Sequence, residues 1–274
     1  MKNIEFINMG RENIKFNLVF NNQEFSKDNF RNYLEEGIIW DDEIGYAGYK
    51  TKEAAVNTIL SFIFGKNEIM TDIRLDIKKV SDIISGSIQL CNKFVELEDL
   101  NIFVFPTISN FTLKNLNGVC GLTPWKKTIL FFINPIEKWE EELKETSCHE
   151  YAHIVTHRFH NWRTLLESLI FEGIAEHFRE QVVGGDIAAW ANALNEKELI
   201  PIMKKLIPLL DSEDFNVYSN VFYGNAEFKQ WSGYSLGYHI VKLFMLNNEI
   251  NNWNEIFKLH AMEVLDKSKF IEKC

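Results

Sequence analysis

Apolar residues recur at steps of three and four in two stretches of the first hundred residues. Lys52–Phe64 places Ala55, Ile59, Phe62 and Ile63 on one helical face. A longer pattern from Asp72 to Leu97 carries Ile73, Ile77, Val80, Ile84, Ile88, Cys91 and Val95. Gly86 weakens this second helix without excluding it. Ile4–Ile7 and Ile14–Phe20 read as short strands around Met9 and Gly10. Further on, the apolar runs shorten and become continuous, as in buried strands. Asn101–Phe105 is ended by Pro106. Gly118–Leu122 follows an Asn117-Gly118 turn, and Thr128–Ile133 is closed by Asn134 and Pro135. Pro135 suits the first turn of a following helix. The remainder reads as helical: Ile136–Phe159, Leu165–Val183 stopped by Gly184-Gly185, a broken stretch through Pro201 and Pro208, Ser235–Leu246 and Trp253–Leu265. The pattern predicts an α+β chain, a small sheet followed by a mainly helical half. Residues 1–100 form an N-terminal region of mixed strands and helices with no role that the sequence argues, and 101–274 form the domain that carries the chemistry.

Composition narrows the partners. The 274 residues hold 29 Lys and Arg against 39 Asp and Glu, a formal net charge of −10. An acidic chain with no long basic cluster is unsuited to binding nucleic acid through phosphates, or to docking on an anionic membrane surface. No apolar run approaches the 18 or so residues of a membrane span. Charges fall where a signal peptide would need its apolar core, so no export signal is expected. Cys91, Cys120, Cys148 and Cys274 are scattered with no CxxC pair, which predicts free thiols and a reducing, cytoplasmic setting. Cys148 reads as a small buried residue.

The predicted helix Ile136–Phe159 contains His149-Glu150-Tyr151-Ala152-His153, the HExxH pattern. Residues four apart share a helix face, so two imidazoles can reach one ion, and Zn2+ accepts imidazole nitrogen. Glu150, beside the first histidine, is placed to take a proton from zinc-bound water. The motif alone is not decisive, and a third ligand is needed. His157 and His160 follow closely, but a metzincin site needs Gly at 156 and His at 159, where this chain has Thr156 and Phe159. These two histidines therefore read as solvated helix-end residues. Glu172, in the next helix, is the better candidate. Asn161–Arg163 lets the chain turn back, Gly173 permits a close approach of the two helices, and Glu176 one turn on can accept the second ring N–H of a ligand histidine.

HExxH followed by Glu172-Gly173-Ile174-Ala175-Glu176 resembles the gluzincin arrangement of thermolysin-like and aminopeptidase N-like enzymes. More closely, His149–Ile154 together with Glu172–Phe178 resembles the bacterial YjaZ-type family of predicted zinc-dependent proteases. The resemblance implies a zincin-like fold, a small mixed or antiparallel sheet packed on an active-site helix. It implies one zinc per chain held by His149, His153 and Glu172, with Glu150 as general base and Glu176 orienting a ligand histidine. Tyr234 and Gly237 match a Tyr-x-x-Gly that opens a helix in aminopeptidase N-like enzymes. By that match the Tyr234 hydroxyl stabilises the oxyanion, with Tyr238 and His239 as weaker candidates. Zincins bind an extended peptide along an exposed strand edge. Here Gly118–Leu122 or Thr128–Ile133 would be that edge, with Gly118 and Gly121 against the substrate. The Gly-x-Met-Glu-Asn loop that reads a substrate amine has no counterpart in Asn117–Thr123, so aminopeptidase activity is not implied. The expected function is a cytoplasmic zinc metallopeptidase acting on a peptide or protein, without nucleic acid or membrane partners and with no oligomeric state implied. Two alternatives stay open: a gluzincin-fold hydrolase of a non-peptide substrate, and a non-catalytic zinc-containing interaction domain.

Overall fold

The computed structural model describes residues 10–11, 14–18, 25–37, 51–70, 73–125, 127–250 and 252–274. The expected strand Ile4–Ile7 lies outside them. The chain divides into two compact units, with the boundary between Ile154 and Val155.

The first unit is built on a mixed sheet. Its strands are β1 (Gly10–Arg11), β2 (Ile14–Leu18), β5 (Leu100–Pro106), β6 (Val119–Trp125) and β7 (Thr128–Ile133), in the order β1-β2-β5-β7-β6. Strands β2, β5 and β7 are parallel, while β1 and β6 run antiparallel to their neighbours. All six residues of β7 are buried, as expected of a parallel strand covered on both faces. The boundary expected at 100/101 falls where β5 begins, and β2 is its partner in the sheet. A two-residue pair, β3 (Phe25–Ser26) and β4 (Ile69–Met70), forms a separate ribbon.

Alternation along the strands sets the two faces of the sheet. Phe103 and Phe105 of β5, Cys120 of β6, and Leu130 and Phe132 of β7 share one face. They pack with α1 (Lys27–Gly37) and α2 (Lys52–Phe64) through Phe30, Leu34, Ile59 and Ile63. Helix α2 has the bounds that its apolar spacing predicts. The Thr51 side chain caps it by accepting from the Ala54 amide, and Gly65 ends it at φ 58°. Helix α3 (Ile77–Cys91) is shorter than the apolar pattern because Asp76, in extended backbone, accepts from the Lys79 amide and fixes the start. A short α4 (Asn110–Asn115) precedes β6.

Helix α5 (Trp139–Phe159) carries the HExxH motif. It starts later than expected. Lys138 lies at φ 69°, a left-handed conformation that no helix interior accepts, so Pro135 belongs to the loop and not to the first turn. The Tyr151 hydroxyl, at 2.5 Å from both the Val95 carbonyl and Asn92 Oδ1, ties α5 to the chain leaving α3.

The second unit is helical. Helix α6 (Leu165–Val183) opens on a capping box: Thr164 accepts from the Glu167 amide, and Glu167 accepts from the amides of Thr164 and Arg163. Gly184 ends it at φ 68°. Helix α7 (Glu196–Leu206) holds Pro201 one turn inside its start, and Pro208 falls in the 3-10 turn Ile207–Leu209. Then come α8 (Phe215–Tyr223) and α9 (Ser232–Asn248), the latter beginning three residues before the expected Ser235. The expected helix Trp253–Leu265 is two pieces, α10 (Trp253–Ile256) and α11 (Ala261–Ser268), separated where His260 is extended. The close approach that Gly173 permits is to α9, not to α5. A Cβ on Gly173 would lie 2.3 Å from the Gly237 carbonyl oxygen. Among the described residues no helix is long and apolar enough to cross a membrane.

Candidate metal centre

Helix α5 presents His149 and His153 one turn apart. Their rings stand nearly perpendicular at 88°, and their Nε2 atoms are 3.0 Å apart. Two imidazole nitrogens bound to one tetrahedral zinc at 2.0–2.1 Å would stand roughly 3.3 Å apart, so the pair is already close to that spacing. Glu172 of α6 completes the group: one ligand atom from each of His149, His153 and Glu172 lies within 4.8 Å of the others, and all three residues are buried. Two imidazoles and a carboxylate, withdrawn from water and converging, are a donor set that suits zinc and leaves a fourth position open.

Glu150 is also buried, and strand β6 packs against its side chain. Thr123 Oγ1 donates to Glu150 Oε2 at 2.7 Å. Gly121 sits against the same carboxylate, where a Cβ would come within 2.4 Å of Glu150 Cγ. The sheet order places β6 outermost, with no strand on its far side among the described residues. Of the two segments expected to supply an edge, Thr128–Ile133 is excluded, because β7 lies between β5 and β6. Gly118 stands at the turn before β6 with φ 82°, where a Cβ would meet the Asn134 carbonyl oxygen at 2.5 Å. That geometry gives Gly118 a backbone reason to be glycine. Burial, with Glu150 nearby, pushes the Cys120 thiol well above its ordinary range.

Glu176 is buried in the second unit. Its Oε1 accepts from Arg179 Nη2 and from the Ala188 amide. Arg179, also buried, donates to the carbonyls of Gly184 and Asp186 at 2.9 Å. The ion pair thereby fastens the loop after α6. Tyr234 is half-buried in the first turn of α9, its ring edge-on to Phe222 at 4.9 Å. Tyr238 is committed elsewhere: its hydroxyl donates to Glu180 Oε1 at 3.1 Å and His177 stacks on its ring at 4.3 Å. Burial lowers the pKa of His239.

His160 overturns its expected role as a solvated helix-end residue. It is buried, stacks near Phe171, and sets Nε2 2.9 Å from the Phe257 carbonyl, because the segment between α10 and α11 covers it. His157 is half-buried beside Trp162. Cys148 is fully buried, as expected. Two residues that hold candidate site residues escaped the sequence reading. Arg179 had a signal, standing three residues after Glu176 on one helix face. Thr123 had none, since 27 residues separate it from Glu150.

Residues 80–266 match the family described as Predicted Zn-dependent protease (DUF2268), and the chain belongs to that family. Its resemblance to bacterial predicted zinc-dependent proteases is thereby upheld. A curated relative, the uncharacterized protein YjfC of Bacillus subtilis (strain 168), is 23% identical over 209 residues, covering 69% of this chain and 70% of its own.

Proposed function

We propose that this protein is a gluzincin-type zinc metallopeptidase that hydrolyses peptide bonds in a peptide or protein substrate and works in the cytoplasm. The observation that carries the reading is the convergence of ligand atoms from His149, His153 and Glu172, with Glu150, next in sequence to His149, also buried. Those three residues would hold one zinc per chain. Zinc supplies Lewis acidity there, making water a nucleophile near neutral pH and polarising a carbonyl group. Glu150 receives the proton of the attacking water on its carboxylate and returns it to the departing amine. Tyr234 donates its hydroxyl to the carbonyl oxygen as charge develops. Strand β6 offers its outer backbone groups to an extended substrate. Glu176, anchored by Arg179, would accept the second ring N–H of a ligand histidine.

The test pairs zinc content with cleavage of a peptide library by wild type and Glu150→Gln. Loss of a general base lowers the rate about 10²- to 10⁴-fold. A variant that keeps both its zinc and its full activity would falsify the mechanism. A zinc-loaded wild type that cuts no library member points instead to a non-peptide substrate.

A further inference from the structure

A general base needs its oxygen held where the proton is, and glutamate has three side-chain bonds about which to wander. Glu150 is held by strand β6. Thr123 and Gly121 are two residues apart, so they share the strand face turned toward Glu150. The Thr123 hydroxyl has one proton to give and two acceptors within reach. Glu150 Oε2 is at 2.7 Å and the Glu150 backbone carbonyl at 3.3 Å, so the carboxylate takes it. A donor fixed to an ionised acceptor makes a strong, directional bond, and this one is buried. Gly121 acts on the same face by absence. A Cβ there would stand 2.6 Å from Oε1 and 2.7 Å from Cδ, so any other residue would displace the carboxylate. Pairing with β7 shifts by one residue between Leu122 and Trp125, so Thr123 lies within that irregularity.

Resting on the reading of Glu150 as base, we propose that Thr123 is its positioning residue. Its hydroxyl anchors Oε2, and the space at Gly121 admits the carboxylate.

Two arms test this. Crystal structures of wild type and Thr123→Val, a substitution of nearly equal volume, read the Glu150 side chain directly. The expected result is one Glu150 rotamer in wild type and a shifted or split one in the variant. An unchanged single rotamer in Thr123→Val overturns the proposal, whatever the substrate proves to be. The second arm is kinetic, on zinc-loaded protein with zinc content measured for each variant. Thr123→Val is expected to lower kcat about 10- to 100-fold with KM held, the size of loss that follows a small misplacement of a reacting group. Thr123→Ser, which restores the hydroxyl, is expected to recover most of that loss. Gly121→Ala is expected to lower kcat with zinc retained, by pushing the carboxylate out of the space that glycine leaves. Equal kcat for the Val and Ser variants overturns the proposal. If Glu150→Gln keeps full activity, the base reading fails instead, and the crystallographic arm still decides whether Thr123 holds Glu150.

Discussion

Gly173 and Gly237 bring the backbones of α6 and α9 together with no room for a side chain on either. A Cβ on Gly173 would lie 2.3 Å from the Gly237 carbonyl oxygen, and one on Gly237 would lie 1.9 Å from that of Leu169. The opposing atoms are main chain and cannot swing aside. Replacing Gly by Ala in a helix gains about 1 kcal/mol of propensity, and overpacking a core costs about 1–3 kcal/mol or more. Against backbone the second effect wins. Gly173→Ala and Gly237→Ala are each expected to lower Tm by several degrees in thermal unfolding. A Tm raised by either substitution would show that the helices separate at little cost.

Arg179 and Glu176 form an ion pair withdrawn from water. Removing one partner of such a pair leaves an uncompensated buried charge, at roughly 3–5 kcal/mol. Arg179→Met should therefore destabilise more than the double variant Arg179→Met, Glu176→Leu, which removes both charges. Urea unfolding of the two variants checks the order.

Metal should stabilise the fold through His149, His153 and Glu172. A ligand present at a hundredfold over its Kd adds about 2.7 kcal/mol. Chelation is expected to lower Tm and added zinc to restore it. His153→Ala, lacking one donor, should lose that response, and calorimetry with and without zinc reads the difference. An identical zinc response in the variant would remove His153 from the ligand set.

Acid should loosen the second unit near His160. Burial holds this imidazole below its ordinary pKa, against the smaller opposing pull of the Phe257 carbonyl. Above pH of about 6.5, the unfolded value, both states are neutral and the group contributes nothing to the pH dependence. As pH falls through that value the unfolded chain binds its proton first, so stability is lost until the folded group titrates as well. His239 has the same sign, with burial as its main cause. The slope of Tm between pH 7 and 5 is expected to be shallower in His160→Gln, and a slope unchanged from wild type would remove His160 as a contributor.

Local patterns were readable where one element decides its own structure. The bounds of α2, α6 and β7 follow directly from apolar spacing, a Thr cap, a Gly stop or a continuous apolar run. His149 and His153 are legible because one helix turn sets their separation, and Glu172 because the adjoining helix carries it. The capping box of Thr164 and Glu167 gives Glu167 a purely local task that apolar spacing does not announce. What sequence could not show is contact between distant segments. The pairing of β2 with β5, the seat of Glu150 on β6, and the true partner of Gly173 depend on how the chain is brought back on itself. His160 was misread for the same reason, since residues near Phe257 bury it.

An outermost strand is also a liability, because its row of unpaired groups is a template for any other extended chain, including a second copy of the same protein. In β6 the position after Thr123 is Pro124, which has no N–H to offer, and the ladder slips at that point. The edge therefore presents only a short run of regular donors and acceptors, from Val119 to Leu122. A strand so interrupted can hold a few residues of a passing chain but gives little purchase for the continuous pairing that leads to aggregation.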